Sequence, residues 1–113
     1  METVTAERRA INEEIISTML AQLGGRRFSM MTGSKPQYKD ATAKNPLVAF
    51  KLIRNQSKAT HMKLSYNSAM DLYDMEFVRV HGPNMKTVEL KEGLYDNMLQ
   101  AVFTQVTGLD TRL

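Results

Sequence analysis

The sequence predicts an α+β fold, an antiparallel β-meander of four to five strands with an N-terminal and a C-terminal helix packed on one face. Three observations predict it. Apolar residues recur at helical spacing near both ends, short alternating runs fill the middle, and clusters of turn residues separate one run from the next. Helix, strands, helix in that order, with consecutive strands adjacent, suits one sheet with both helices on one side. The 113 residues fit a single domain over 1–113.

The N-terminal helix is the best marked element. Ile11, Ile15, Met19 and Leu23 fall four apart, and Ile16 and Leu20 widen the stripe. Thr5 suits the N-cap, and Glu7, Glu13 and Glu14 lie toward the positive half of the helix dipole. Gly24-Gly25 supplies the left-handed residue that ends it. Residues 26–32 (RRFSMMT) read as a first strand with Phe28 and Met30 on one face, and 33–46 as a long irregular connection with two prolines.

Residues 47–53 are apolar on both faces except at Lys51, the pattern of a central strand, and 54–60 (RNQSKAT) form a polar turn. In 61–66, Met62, Leu64 and Tyr66 face one way and His61, Lys63 and Ser65 the other. After a turn at Asn67-Ser68, residues 72–80 put Tyr73, Met75 and Phe77 inward and Asp74 and Glu76 outward. The shift to Val78 and Val80 predicts a bulge or a covered edge. Gly82-Pro83-Asn84 turns the chain, with Pro83 read at position i+1, and 85–90 close the meander. A final helix follows Gly93 and runs to about Thr107, with Leu94, Met98, Leu99, Val102, Phe103 and Val106 inward. Gly108 and Leu109 match a Schellman ending. Of the nine methionines, Met19, Met30, Met62, Met75 and Met98 fall on expected core faces.

Composition narrows the chemistry. Hydrophobic residues make up 42% and charged residues 24%, so the chain has the means to build a core. The absence of cysteine excludes disulfides, thiolate zinc sites and cysteine nucleophiles. Apolar runs reach only a few residues, well short of the ~20 a bilayer requires, and no secretory signal is visible, so no membrane contact and a cytoplasmic location are the expectations.

The net charge of +3 is unevenly placed. Residues 1–34 balance four basic against four acidic side chains, and residues 64–113 hold four basic and seven acidic. Residues 35–63 carry Lys35, Lys39, Lys44, Lys51, Arg54, Lys58 and Lys63 against Asp40 alone. With Arg26 and Arg27, these are the candidate contacts for nucleic acid or an acidic partner, Tyr38 adding a ring that can stack. Solvated lysines on a sheet produce the same count.

Other constellations are weaker. Asp71, Asp74 and Glu76 form an acidic cluster in which Asp74 and Glu76 share a strand face, as an acid–base pair of a small enzyme needs; Lys51 and Lys63 share that face too, which suits a solvated ion-pair surface. His61 and His81 lie on different strands without metal-ligand spacing. Thr32-Gly33-Ser34-Lys35 has the residue types of a phosphate-cradling turn but lacks the second glycine and following helix of a P-loop. No catalytic set, metal or cofactor is expected.

Three stretches carry a resemblance: residues 22–35 (QLGGRRFSMMTGSK), 71–77 (DLYDMEF) and 107–113 (TGLDTRL). Together they resemble a family of small tailed-bacteriophage and prophage proteins with the pattern LGG..F..MTG.K, DLY..EF and TGL.T.L. The likeness spans most of the chain, and the stretch between Pro36 and Pro46 is longer here than in that pattern. The resemblance implies a phage or prophage origin and action in the host cytoplasm. It also implies an accessory role in binding a host protein, sometimes of a defence system, or nucleic acid; it brings no catalytic residues with it.

Overall fold

The N-terminal helix begins where the sequence marks it. The structure, a computed structural model, describes residues 5–42 and 44–111, so Arg112 and Leu113 of the C-terminal motif lie outside the described residues. In α1 (Ala6–Leu23), the Thr5 Oγ1 accepts the Arg8 N–H at 3.2 Å, capping an otherwise open donor. Ile16, Met19 and Leu23 are buried at three- and four-residue spacing. Ile11, four residues ahead of Ile15, is exposed. Its neighbour Asn12 is buried instead and donates from Nδ2 to the Ala41 carbonyl at 2.9 Å, tethering the helix to the chain beyond the first strand.

Residues 26–32 are helical, not extended. Gly24 (φ 116°) and Gly25 (φ 56°) break the chain's direction, and α2 (Gly25–Thr32) follows at once. Phe28 and Thr32, one turn apart, are its buried residues, while Met30 is 75% exposed because two residues on a helix point to opposite sides. The Thr32 hydroxyl donates back to the Phe28 carbonyl at 2.7 Å, which lets a polar side chain occupy the core-facing position.

Five strands form one antiparallel sheet in chain order: β1 (Lys35–Asp40), β2 (Leu47–Lys51), β3 (His61–Asn67), β4 (Leu72–His81) and β5 (Asn84–Leu94). The first strand therefore lies within the stretch expected to be an irregular connection. It shows no alternation because, as an edge strand, it is exposed at nearly every position, and Pro36 is tolerated there for the same reason. The bulge expected near Val78 is present, where β5 shifts register opposite Phe77 and Val78. A second irregularity in β5 falls at Gly93 (φ 69°), whose N–H donates to the Asp74 carboxylate at 3.0 Å. At the β4–β5 tip Gly82 (φ 59°) is the first of two loop residues and Pro83 the second, not i+1 as expected. A positive φ at the first position alone is the II′ hairpin pattern, since Pro83 cannot adopt the positive φ that I′ needs.

Leu94 belongs to β5 and fills the core from the strand; a 3₁₀ turn (Asp96–Met98) then leads into α3 (Leu99–Thr107). Gly108 (φ 74°) ends α3 with its N–H on the Thr104 carbonyl at 2.8 Å, while the Leu109 N–H goes to Thr107 Oγ1 and not to the backbone bond of a Schellman motif. The three α-helices of the described residues pack on one face. Phe28 of α2 and Phe103 of α3 meet edge-to-face at 4.8 Å, Phe28 reaches Phe50 of β2 at 5.7 Å, and Phe103 reaches Phe77 of β4 at 6.3 Å. Met19, Met62 and Met75 fill the same core; Met98 is exposed.

Candidate functional site

The opposite face of the sheet is covered by no helix among the described residues. Directly paired residues share a face, so the register lays out this surface row by row. One row runs Lys35, Lys51, His61, Val78, Thr87; the next runs Tyr38, Ala49, Lys63, Glu76, Leu90; a third holds Asp40, Leu47, Ser65 and Asp74. Lys51 and Lys63 thus share the face of Asp74 and Glu76, as expected, and Tyr38 stands on it, 56% exposed.

The expected surface ion pair does not form. Lys63 lies opposite Glu76, yet its Nζ rests 4.0 Å from the Met85 sulfur while Glu76 accepts the Thr87 hydroxyl at 2.6 Å. Asp74 holds the Gly93 amide, and Asp71, in the β3–β4 turn with φ 56°, accepts the Tyr66 hydroxyl. Each carboxylate of the acidic cluster therefore has a donor that shapes a turn or bulge. Among the described residues no three metal-ligating side chains converge.

The Thr32–Lys35 turn is not a phosphate cradle. It sits at the C-terminal, negative end of α2, and its amides are used internally: Gly33 N–H bonds the Ser29 carbonyl at 2.9 Å and Ser34 N–H bonds Thr32 Oγ1 at 3.2 Å.

The sheet register divides the nine basic candidates. Arg26 and Arg27 are exposed on α2, in the helical layer, so they do not join the uncovered face as they would from a strand beside β2. Lys44 follows β1 at the far end of the sheet, and Lys39, paired with Val48, points to the helical side of the edge. Lys35, Lys51, Arg54, Lys58 and Lys63 gather at the end where β1 starts, β2 passes to β3, and β4 turns into β5.

The same end of the sheet, on the face opposite Lys35, Lys51 and Lys63, holds two further cations that no local sequence pattern marks, Arg79 and Lys86. Arg79 Nε donates to the Lys58 carbonyl at 3.0 Å, joining the hairpin to the β2–β3 loop. Nothing in the local sequence links these residues to the basic segment; the meander register does. Together the stretches 33–37, 51–63 and 78–88 hold seven lysines and arginines and no aspartate or glutamate. None of the seven forms an ion pair with a described residue; the ion pairs Arg9–Glu13 and Lys91–Glu89 lie elsewhere.

Two cross-strand pairs at this end oppose like charges directly: Lys35 with Lys51, and Arg79 with Lys86. Such pairs destabilise a sheet, and seven cations of which Lys63 alone faces a carboxylate across the strands, that of Glu76, build a local positive potential. Within it, burial first, and the Lys51 ammonium second, hold the His61 imidazole below the usual histidine range, favouring the neutral ring. An open cleft of about 460 Å³ lies among Gly33, Lys35, Gln37, Lys51 and Ile53 at the β1–β2 corner of this surface. Beyond Val80, whose N–H donates to Thr60 Oγ1 at 2.8 Å, the ends of β4 and β5 pair only with each other, and residues 79–86 are all exposed.

No helix is long and apolar enough to cross a membrane among the described residues. Comparison with family models, curated proteins and solved structures finds no match.

Proposed function

We propose that the chain is a small phage or prophage accessory protein that acts by binding an acidic macromolecule rather than by catalysis, through the basic end of its sheet. The observation that carries this reading is the seven cations without an acidic neighbour in their stretches, two pairs of them set directly opposite one another. A sheet gains nothing from such an arrangement by itself; an anionic partner removes the repulsion and releases counterions as it binds.

Lys35→Glu tests both halves. It replaces a repulsive pair by an attractive one across from Lys51, so the urea midpoint is expected to rise, by about 0.5 kcal/mol in unfolding free energy. The salt concentration that elutes the protein from heparin is expected to fall. The double variant R26A/R27A, which removes two positive charges from the helical layer, is expected to elute with the wild type. Equal losses of retention in both variants would mean that net charge alone is being read, and the reading would be wrong.

A further inference from the structure

We propose that β1 and α1 clasp an extended acidic peptide, which adds to the sheet as a sixth strand and places side chains between the edge and the helical layer. This groove is separate from the basic end, and the proposal goes beyond the reading above.

β1 ends the sheet and pairs only with β2, so alternate backbone groups along it point away from any strand. α1 runs beside it in the opposite direction. Arg9, Glu13 and Ser17, four residues apart on one stripe of the helix, line a cleft of about 430 Å³ with Lys39, Asp40 and Thr42. Further along α1, Leu20 and Leu23 line a second cleft, of about 270 Å³, with Arg26, Phe28, Pro36 and Phe50. The two clefts therefore follow each other along the edge, and the Asn12–Ala41 bond ties helix to chain at one end. An open strand flanked by a helix suits an extended peptide. The peptide backbone continues the ladder, and every second side chain enters a cleft.

The linings fix which side chains suit. The cleft beside Pro36 is walled by Leu20, Leu23, Phe28 and Phe50 and takes an apolar side chain of about leucine size. Arg26 also lines it, and no carboxylate of the described residues does. In the other cleft the carboxylates are engaged. Glu13 pairs with Arg9 at 3.5 Å, and Asp40 accepts the Thr42 N–H at 2.9 Å and the Thr42 hydroxyl at 2.7 Å. Lys39 points to the helical side and forms no ion pair with a described residue, so it can receive a carboxylate from the peptide. A strand added antiparallel to β1 passes Lys39 before Pro36. Its acidic residue then precedes the apolar one by two or four positions. A second copy is the poorer occupant, because antiparallel pairing of β1 with itself about Gln37 sets Lys35 against Lys39.

The probe is a labelled seven-residue peptide with threonine at its odd positions, glutamate at the second and fourth, and leucine at the sixth. Amide chemical shifts are expected to move along 36–42 and on α1 from Arg9 to Leu20, with 51–63 and 78–88 unmoved. By fluorescence anisotropy, Lys39→Glu is expected to weaken binding about tenfold. The same variant is expected to bind a peptide with lysine in place of glutamate more tightly than the wild type does, which an unfolded variant would not. Methylating the backbone nitrogens of the odd residues or of the even ones is expected to abolish binding in one case only, as strand addition requires. Equal effects of the two methylation patterns, unchanged affinity in Lys39→Glu, or no shift at millimolar peptide would each overturn the proposal. Self-association that the peptide does not displace would give the edge to a second copy and overturn it too. Shifts confined to 51–63 and 78–88 would overturn it while leaving the polyanion reading intact.

Discussion

Phe103→Ala is expected to lower the unfolding free energy by about 3–5 kcal/mol, the largest effect of any single substitution considered for this domain. The ring is fully buried and stands at the centre of the helix–sheet contact, against Phe28 at 4.8 Å and Phe77 at 6.3 Å. Removing it leaves a cavity bounded on one side by a sheet, which cannot collapse inward, and on the other by two short helices that depend on that contact. α2 has eight residues and α3 nine, too few to persist without tertiary packing. Urea unfolding followed by circular dichroism is therefore expected to show a large fall in midpoint together with a weakening of helical signal before the transition. A loss below about 1 kcal/mol would mean that the helices are held by something other than the aromatic contact.

Gly24→Ala is expected to cost about 2 kcal/mol. Gly24 closes α1 and opens α2 with φ 116°, well outside the left-handed well that non-glycine residues enter at about 1–2 kcal/mol. An added Cβ would also stand 3.1 Å from Gln100 Nε2, the group that donates to the Leu23 carbonyl at 2.9 Å and links α3 to the end of α1. Gly25→Ala provides the contrast: its φ of 56° lies within the left-handed well and nothing lies within 4 Å of the added carbon, so about half the cost is expected. Thermal or urea unfolding of the two variants side by side checks the order. Equal costs would place the penalty in general loss of glycine and not in the junction.

The elements that were legible in the sequence are those whose burial repeats with a period. α1, β3 and β4 show it plainly, since Met19 and Leu23 on the helix and Met62, Leu64, Met75 and Phe77 on the strands each recur at the spacing that faces the core. α2 hid because its second buried position is Thr32, which enters the core only by bonding its hydroxyl to Phe28, while Met30 supplies a false alternation with Phe28. β1 hid for the opposite reason: an edge strand exposed on both sides has no apolar signature to read. Leu94 lies in the expected core but in a strand and not the final helix, because a leucine after glycine suits a helix start as well as a bulged strand end.

The candidate surface was half legible. The excess of charge in residues 35–63 is visible along the chain, but which of those cations act together depends on where antiparallel strands begin and end. Lys39 and Lys44 are close in sequence to Lys35 and lie toward the other end of the sheet, whereas Arg79 and Lys86 are distant in sequence and reach its end of the sheet from the opposite face. Charge grouped by sequence and charge grouped by register are different quantities, and a polyanion meets only the second.

Titration of the isotopically labelled protein with short heparin fragments, followed by amide chemical shifts, tests the placement of the basic surface most directly. Shifts are expected at 33–37, 51–63 and 78–88, largest around Lys35, Lys51, Arg79 and Lys86, with Arg26, Arg27 and the length of α1 unmoved. Perturbations centred on α2, or spread evenly over both layers, would contradict it.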